Sequence, residues 1–390
     1  MGENRMKPLS RTVPPSLTME LDRQARALLA AGRDVINLTA GQVDLPMPPV
    51  GKAAVRAALE RDKTGYVPAT GSPEVKAAVR EKMGWQAGEI LIGAGAKPLL
   101  HAALMCLLGP GEEALLPVPC YTSYPEMIRL TGAEAIYVAT GRKTGWKLTR
   151  AALEAHVTDR TKVLLLNHPV NPTGAAYDRD ALREIVDFCL ARDLYLVADE
   201  VYANFVYDGP FVSLYAFAEV RDRLILVNSA SKTYAMAGLR LGYAVAPAPV
   251  ARAMGGYLSQ AVGCPCSLSE QAAVAALRMD SAYEQDLRAA FKARRDLLRG
   301  LLKDLPGLDA GPGEGAFYLW LCVFGYEDDL SFCRKLLEQE GVALTPGSAF
   351  ACPGYARLAY TKKEPQLREA AARLMRFIQK NYSSSSAVSS

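Results

Sequence analysis

Lys232 stands just past an apolar run, Leu224-Ile-Leu-Val227, within Asn228-Ser-Ala-Ser-Lys232, and Arg240 follows eight residues later inside Gly238-Leu-Arg-Leu-Gly242. An amine attacks a carbonyl only when unprotonated, so a lysine that does chemistry here needs a lowered pKa. Ser229 and Ser231 put hydroxyls beside it, and Arg240 adds a permanent positive charge that can hold an anion or depress the ammonium. A solvated surface lysine followed by a structural arginine fits the same letters, so this stretch needs support from elsewhere.

Three other strand ends supply it. Gly93-Ala-Gly95-Ala96-Lys97 follows an apolar run and opens a helix, whose first amides suit a phosphate. The run 162–166 leads into Asn167-His-Pro-Val-Asn171-Pro-Thr-Gly174, and the run 194–198 ends in Asp199-Glu-Val-Tyr202. Taken singly, these are a turn, a helix cap and a packing aromatic. Ligands of an open parallel α/β sheet, however, bind beyond the carboxyl ends of its strands. An aldehyde cofactor accounts for all of these residues together: an amine to bond it, a carboxylate to keep a ring nitrogen protonated, and amides, hydroxyls and an arginine for a phosphate. Pyridoxal 5′-phosphate is that cofactor.

The elements that must position these residues read as alternating strands and helices. Seven strands are expected at 90–92, 114–116, 135–138, 162–166, 194–198, 224–227 and 241–245. Several are continuous apolar runs, as in strands covered on both faces. With helices such as 99–108 and 179–192 between them, they predict an α/β domain with a largely parallel sheet. Upstream, a polar arm holding Pro14-Pro15-Ser16 precedes a helix at 18–31, a strand at 35–39 and helices at 50–61 and 73–83, the last with Ser72 as N-cap. Downstream, Ser281-x-x-Glu284 reads as a capping box for a long helix, followed by strands at 316–323 and 357–360 and helices at 330–340 and 366–379. The expected domains are an arm and helix over 1–40, a large domain over 41–280, a smaller α+β domain over 281–380 and a disordered serine-rich tail over 381–390.

The 390 residues carry a net charge of +4 with no basic block, which argues against nucleic acid as a partner. No apolar run nears the roughly 18 residues of a membrane span. The first ten residues lack an apolar signal core, so a cytoplasmic protein is expected. Three histidines and eight scattered cysteines leave little material for a metal site, and the one close pair, Cys264-Pro-Cys266, lacks the spacing of zinc or thioredoxin motifs.

From 15 to 377 the chain resembles the class I aminotransferases of fold type I, within them the γ subgroup that includes bacterial aspartate aminotransferases. The resemblance rests on Gly65-Tyr66 with Gly71, Gly95-Ala-Lys97, Pro119-Cys-Tyr121-Thr-Ser-Tyr124-Pro-Glu126, Asn171-Pro-Thr-Gly174, Asp199-Glu-Val-Tyr202, Ser229-Ala-Ser-Lys232 with Gly238-Leu-Arg240-Leu-Gly242, and Arg357-Leu358. It implies a three-layer α/β/α large domain with a mostly parallel seven-stranded sheet, and a ping-pong transamination. Lys232 is implied to bond pyridoxal 5′-phosphate and to serve as general base, and Asp199 to pair with the ring nitrogen. Asn171 and Tyr202 are implied at the ring 3′-oxygen, with Tyr121 stacked on the ring. For the phosphate the implied partners are Gly95, Ala96, Lys97, Ser229 and Arg240, joined by Tyr66 from a second subunit, hence a homodimer. Arg357, Asn171 and the Gly41 backbone are implied at the substrate α-carboxylate, and Ser16, Thr18 and Lys97 near a distal carboxylate.

Two departures fall near this site: Gly41-Gln-Val-Asp44 stands where relatives have Gly-Glu-Pro-Asp, and Pro98 stands where a glutamine is usual. Aspartate with 2-oxoglutarate is the expected substrate pair. The alternatives are transamination of aromatic or alanine-type substrates and β-elimination of C–S lyase type. A further alternative, a ligand-sensing module of a transcription regulator, requires a helix-turn-helix ahead of the core, and the residues preceding 40 show no such pattern.

Overall fold

The computed structural model describes residues 17–303, 305, 308–323 and 328–382. The polar arm through Ser16 and residues 383–390 lie outside these residues, and the expected tail boundary at 381 is corrected, since Asn381 and Tyr382 belong to the last helix. In chain order the first elements are helix α1 (Leu17–Ala30), strand β1 (Ile36–Asn37), and helices α2 (Pro49–Leu59) and α3 (Pro73–Met83). Strand β2 (Glu89–Gly93) and helix α4 (Ala96–Leu107) follow. Then come β3 (Glu113–Val118), β4 (Glu134–Ala139), β5 (Thr161–Asn167), β6 (Tyr195–Asp199), β7 (Leu224–Ser229) and β8 (Gly242–Ala246).

Strands β2 to β8 form one seven-stranded sheet in the order β2-β8-β7-β6-β5-β3-β4, and each matches one of the seven apolar runs of the sequence. All neighbours are parallel except β8, which runs antiparallel to both β2 and β7. Alternate residues serve opposite faces, as a period of two requires. Leu164 and Leu166 pack with Leu182, Ile185 and Phe188 of the Arg179–Ala191 helix. Val163 and Leu165 pack with Leu99 and Leu104 of α4 and with Met254 of the Ala248–Ala261 helix. Helices therefore cover both faces, giving three layers.

A second core joins α1 to the C-terminal elements. Leu21 and Ala25 of α1 meet Phe291 and Leu298 of the long Ala282–Leu302 helix, Leu319 and Leu321 of a strand at Tyr318–Val323, and Leu374 and Phe377 of the last helix, Glu364–Tyr382. Val201 and Tyr202, just past the end of β6, also belong to this core, so the carboxyl ends of the sheet face it. The Tyr318–Val323 strand pairs antiparallel with Tyr355–Ala359, setting Trp320 opposite Arg357.

Three local expectations are corrected. The strand expected at 35–39 is reduced to Ile36–Asn37, paired in parallel with Val342–Ala343. Asn37 and Thr39 instead give their side chains to Asp22. The capping box at Ser281 does not form: Ser281 Oγ accepts from the Gln285 side chain, Asp280 takes the Ala282 amide, and Glu284 bonds Tyr234 and pairs with Lys82. The helices Ala248–Ala261 and Ser267–Arg278 were not expected, because Gly255-Gly256 in the first and the alanine-rich apolar run of the second hide a 3.6-residue period. No helix among the described residues is long and apolar enough to cross a membrane.

Candidate active site

The sheet gathers the reactive side chains at one edge. Parallel register sets Asn167 beside Asp199, and Asp199 beside Val227 near the end of β7. The reversed β8 then does something a fully parallel strand would not. Its first residue, Gly242, pairs with both Gly93 and Ser229, so the loop carrying Arg240 arrives at the same edge as the β2 end and the lysine. Asn167, Asp199, Ser229, Lys232 and Arg240 line a cleft of about 460 Å³ together with Thr39, Gly41, Tyr121, Tyr318 and Arg357.

At the floor, Asp199 is buried and its carboxylate is fixed by two donors: the Tyr124 hydroxyl at 2.7 Å and the Val201 amide at 3.1 Å. Burial pushes its pKa up to about 6, against the pull of these hydrogen bonds and of Lys232. Asn167 ties the strand ends together, donating to the Asp199 carbonyl at 2.9 Å and accepting the Asn171 amide at 2.7 Å.

Lys232 follows β7 within one short helical turn, Ala230–Thr233, and its Nζ donates to the Gly41 carbonyl at 2.5 Å. Burial, with the charges of Arg357 and Arg240, brings its pKa down to about 8, and Asp199 opposes the shift. The amine is thereby moved toward the unprotonated form that bonds a carbonyl.

The end of the cleft formed by α4 and Arg240 is a cradle of donors. The cap residue of α4 is Gly95, which offers no side chain to the first helical amides, so those of Ala96 and Lys97 have no side-chain acceptor. A Cβ at Gly95 would fall 2.4 Å from Arg240 Nη2, and one at Gly242 would fall 2.4 Å from the Gly95 carbonyl carbon and 2.5 Å from the Ala96 nitrogen. Both glycines let backbone and guanidinium close up. Arg240 itself sits in the left-handed region at φ 53° and donates to Ala237 O at 2.8 Å. Ser229 Oγ donates to Leu241 O at 2.8 Å and accepts the Ser231 amide at 3.0 Å, with the Ser231 hydroxyl also 2.8 Å away. A cationic, amide-rich pocket with hydroxyls at a helix N-terminus fits a phosphate. With a depressed lysine and a buried carboxylate beyond it, the residues fit pyridoxal 5′-phosphate.

Opposite this cradle lies Arg357, buried between the rings of Tyr318 and Phe350 at 4.4 and 4.7 Å. Its Nη1 donates to Asn171 Oδ1 at 2.9 Å and its Nη2 to Thr39 O at 2.5 Å, while its buried Nε has no partner among the described residues. A buried donor left unmade is costly and suits an incoming carboxylate. Thr39, Ala40 and Gly41 thus present three successive carbonyls to three side chains, those of Arg357, Thr361 and Lys232. Gly41 has no room for a side chain, since a Cβ there would lie 2.0 Å from the Tyr318 hydroxyl.

The cleft brings together Gly41, Ala96, Lys97, Tyr121, Asn171, Asp199, Tyr202, Ser229, Lys232, Arg240 and Arg357, with Gly95 beneath Arg240. Tyr66 is not among them: it is fully exposed on a loop. Ser16 lies outside the described residues, as does the side chain of Thr18. Lys97 is exposed, and its ammonium stands 5.4 Å from the Tyr121 ring centre. Sequence reasoning missed Tyr124, Asn167 and Tyr318. The first two were legible, Asn167 as the last residue of an apolar run and Tyr124 in the motif that contains Tyr121. Tyr318, whose hydroxyl bonds that of Tyr202 at 2.8 Å, carries no sequence signal.

A larger cavity, of about 570 Å³, opens at the other end of the strands beside Glu89, Leu224 and Ala246. Its Arg80 and Arg221 already donate to backbone carbonyls, and it holds neither lysine nor buried carboxylate.

Comparison with known proteins agrees with this geometry. The aminotransferase class I and II family model matches residues 33–374. The aspartate/prephenate aminotransferase of Cereibacter sphaeroides is 38% identical over 94% of this chain and 96% of its own length, and the aspartate aminotransferase of Thermotoga maritima is 36% identical over 94% and 97%. The solved structure of the Thermus thermophilus aspartate aminotransferase with maleate superposes with a TM-score of 0.91 at 34% identity, covering 95% of this chain and 99% of that one. The chain belongs to the class I and II aminotransferases, enzymes that work with pyridoxal 5′-phosphate.

Proposed function

We propose that this aminotransferase carries pyridoxal 5′-phosphate covalently on Lys232 and moves an amino group from aspartate to 2-oxoglutarate. The convergence of Lys232, Asp199, Arg240 and Arg357 on one cleft carries the proposal. When bound, the cofactor supplies a carbonyl that takes the substrate amine and a ring that accepts the electron pair left when the Cα proton departs. Lys232, its pKa brought down to about 8, holds an unprotonated fraction at neutral pH, so its Nζ would bond the cofactor and, when free, would be placed to take and return the substrate Cα proton. Asp199, pinned by Tyr124 and the Val201 amide, holds the proton at the ring nitrogen. Asn171 and Tyr202 would hydrogen-bond the ring 3′-oxygen, and Tyr121 would cover the ring face. Ser229, Arg240 and the amides of Ala96 and Lys97 bind the phosphate.

Arg357 clamps the substrate α-carboxylate, with its unpartnered Nε and the neighbouring Asn171 presented together. Recognition of a distal carboxylate is assigned to Lys97 and, as the family resemblance implies, to Ser16 and Thr18. The relatives named for aspartate, and the Thermus enzyme solved with maleate, support a dicarboxylic substrate. The working unit is a homodimer in which Tyr66, wholly exposed on its own subunit, completes the neighbour's phosphate site. The chain divides into a large lobe over 41–280 and a smaller one over 281–380 joined by α1, a division supported by the separate core that α1 shares with the C-terminal helices.

The test is Lys232→Ala. This variant is expected to lose both borohydride-reducible attachment of the cofactor and turnover of aspartate with 2-oxoglutarate. Transamination retained by the variant would refute the assignment.

A further inference from the structure

Helix α1 contributes two side chains to the cleft, Asp22 and Arg26, which stand four residues apart and so share one face. They reach it from the side of Thr39, whose carbonyl holds Arg357, and not from the cradle at Arg240. Asp22 is locked: Oδ1 accepts from Asn37 Nδ2 at 2.8 Å and from the Thr39 hydroxyl at 3.2 Å, and Oδ2 accepts from Arg26 Nε at 2.6 Å. Its acceptor capacity is largely spent, so it is poorly placed to take a cationic substrate group.

Arg26 is the reverse. Its side chain is 71% exposed, and among the described residues its one hydrogen bond is that from Nε. That bond fixes the plane of the guanidinium and leaves the edge formed by Nη1 and Nη2 without a partner among the described residues. Arg357 is buried with two of its nitrogens bonded, and Arg240 already donates to Ala237 beside the cradle. Arg26 is therefore the cleft's preset, unfilled guanidinium fork on the substrate side, and two parallel donors of this kind match a carboxylate.

We propose that Arg26, oriented by Asp22, binds the distal carboxylate of a dicarboxylic substrate whose α-carboxylate lies on Arg357, and so helps to set the preference for acidic over neutral amino acids. The inference rests on the transaminase reading above and assigns a specificity role to a helix residue of this chain. Because Arg26 is largely exposed, its contribution is that of a solvent-screened ion pair, a difference of about fivefold.

The experiment compares wild type with Arg26→Gln in the full-length, cofactor-loaded enzyme. Measurements are kcat/KM for aspartate, glutamate and alanine, and the dissociation constants of succinate and butyrate, two unreactive acids of equal length. Arg26→Gln is expected to lower kcat/KM for aspartate and glutamate about fivefold, to leave alanine within twofold, and to weaken succinate but not butyrate. The gap should narrow at high salt, where exposed charges are screened. Equal losses on all substrates, or no loss on any, would overturn the role of Arg26. A wild-type protein that takes up no cofactor or transaminates nothing would instead overturn the reading on which it rests, and the succinate and butyrate measurements keep the two failures apart.

Discussion

Replacing Tyr124 with phenylalanine isolates one atom of the site. The ring stays buried, with its edge-on contact to Tyr121 at 5.3 Å, while the hydroxyl that donates to Asp199 Oδ2 at 2.7 Å is removed. A hydrogen bond to a charged group contributes about 1.5–3 kcal/mol. One pKa unit corresponds to about 1.4 kcal/mol, so the loss raises the Asp199 pKa by about one to two units. The direction follows from which form is favoured: the hydroxyl stabilises the carboxylate, and without it burial pushes a pKa already near 6 further up. A protonated Asp199 no longer holds charge against the ring nitrogen, so activity should fail at a higher pH than in wild type. The assay is kcat/KM for aspartate across pH in both proteins. The acidic limb is expected to move up by about one to two units, with the two profiles converging on the alkaline side. A limb that stays in place, with full activity below it, would refute the claim that Tyr124 tunes Asp199.

Two further expectations concern the scaffold. Glu200 is fully buried between the Leu214 amide and the Ser213 hydroxyl, both at 2.8 Å, and burial raises its pKa from 4.5 to about 8. The folded chain then holds a proton that the unfolded chain has released, so the stability Glu200 contributes is present below about pH 4.5 and lost as pH rises to 8. Glu200→Gln should therefore gain on wild type in melting temperature as pH climbs through that window, and a constant difference would contradict the proposal. Gly242→Ala places a Cβ against backbone atoms of Gly95 and Ala96 that cannot swing aside, and should cost about 1–3 kcal/mol of stability. It should also shorten cofactor retention on dialysis, whereas unchanged melting and retention would show the cradle to be looser than described.

Most of the sheet strands were legible because the inner ones are packed on both faces and so read as nearly continuous apolar runs, a pattern that survives without knowledge of partners. Strand β4, at the sheet edge, is exposed at Glu134, Tyr137 and Ala139 and was legible from its short β-branched and aromatic run. The reactive strand ends were legible for the same reason, since Asp199, Ser229 and Lys232 interrupt apolar runs. Elements shaped by distant contacts were not. The strand 35–39 gave way because Asp22, fifteen residues before Asn37, claims its side chains. The capping letters at Ser281 were overruled when Glu284 turned to Tyr234 and Lys82. Tyr318 reaches Tyr202 only through the pairing of its strand with Tyr355–Ala359, a register fixed by tertiary packing and invisible to local pattern. Arg26 looks like any surface arginine on an amphipathic helix until Asp22 is seen to hold it over the cleft.

The strip of main chain from Thr39 to Gly41 ties two separate groups of the cleft, Arg357 and Lys232, to one short backbone segment. Its outer carbonyls accept from Arg357 and Lys232, and Thr361 donates to the carbonyl between them. A lysine amine that leaves Gly41 for a cofactor frees one of these three carbonyls, while Thr39 stays held through Asn37 and Asp22 and so keeps its carbonyl aimed at Arg357. A residue inserted or deleted between Thr39 and Gly41 would therefore displace the acceptors of Arg357 and Lys232 together, so the length of this segment is constrained from both ends of the cleft.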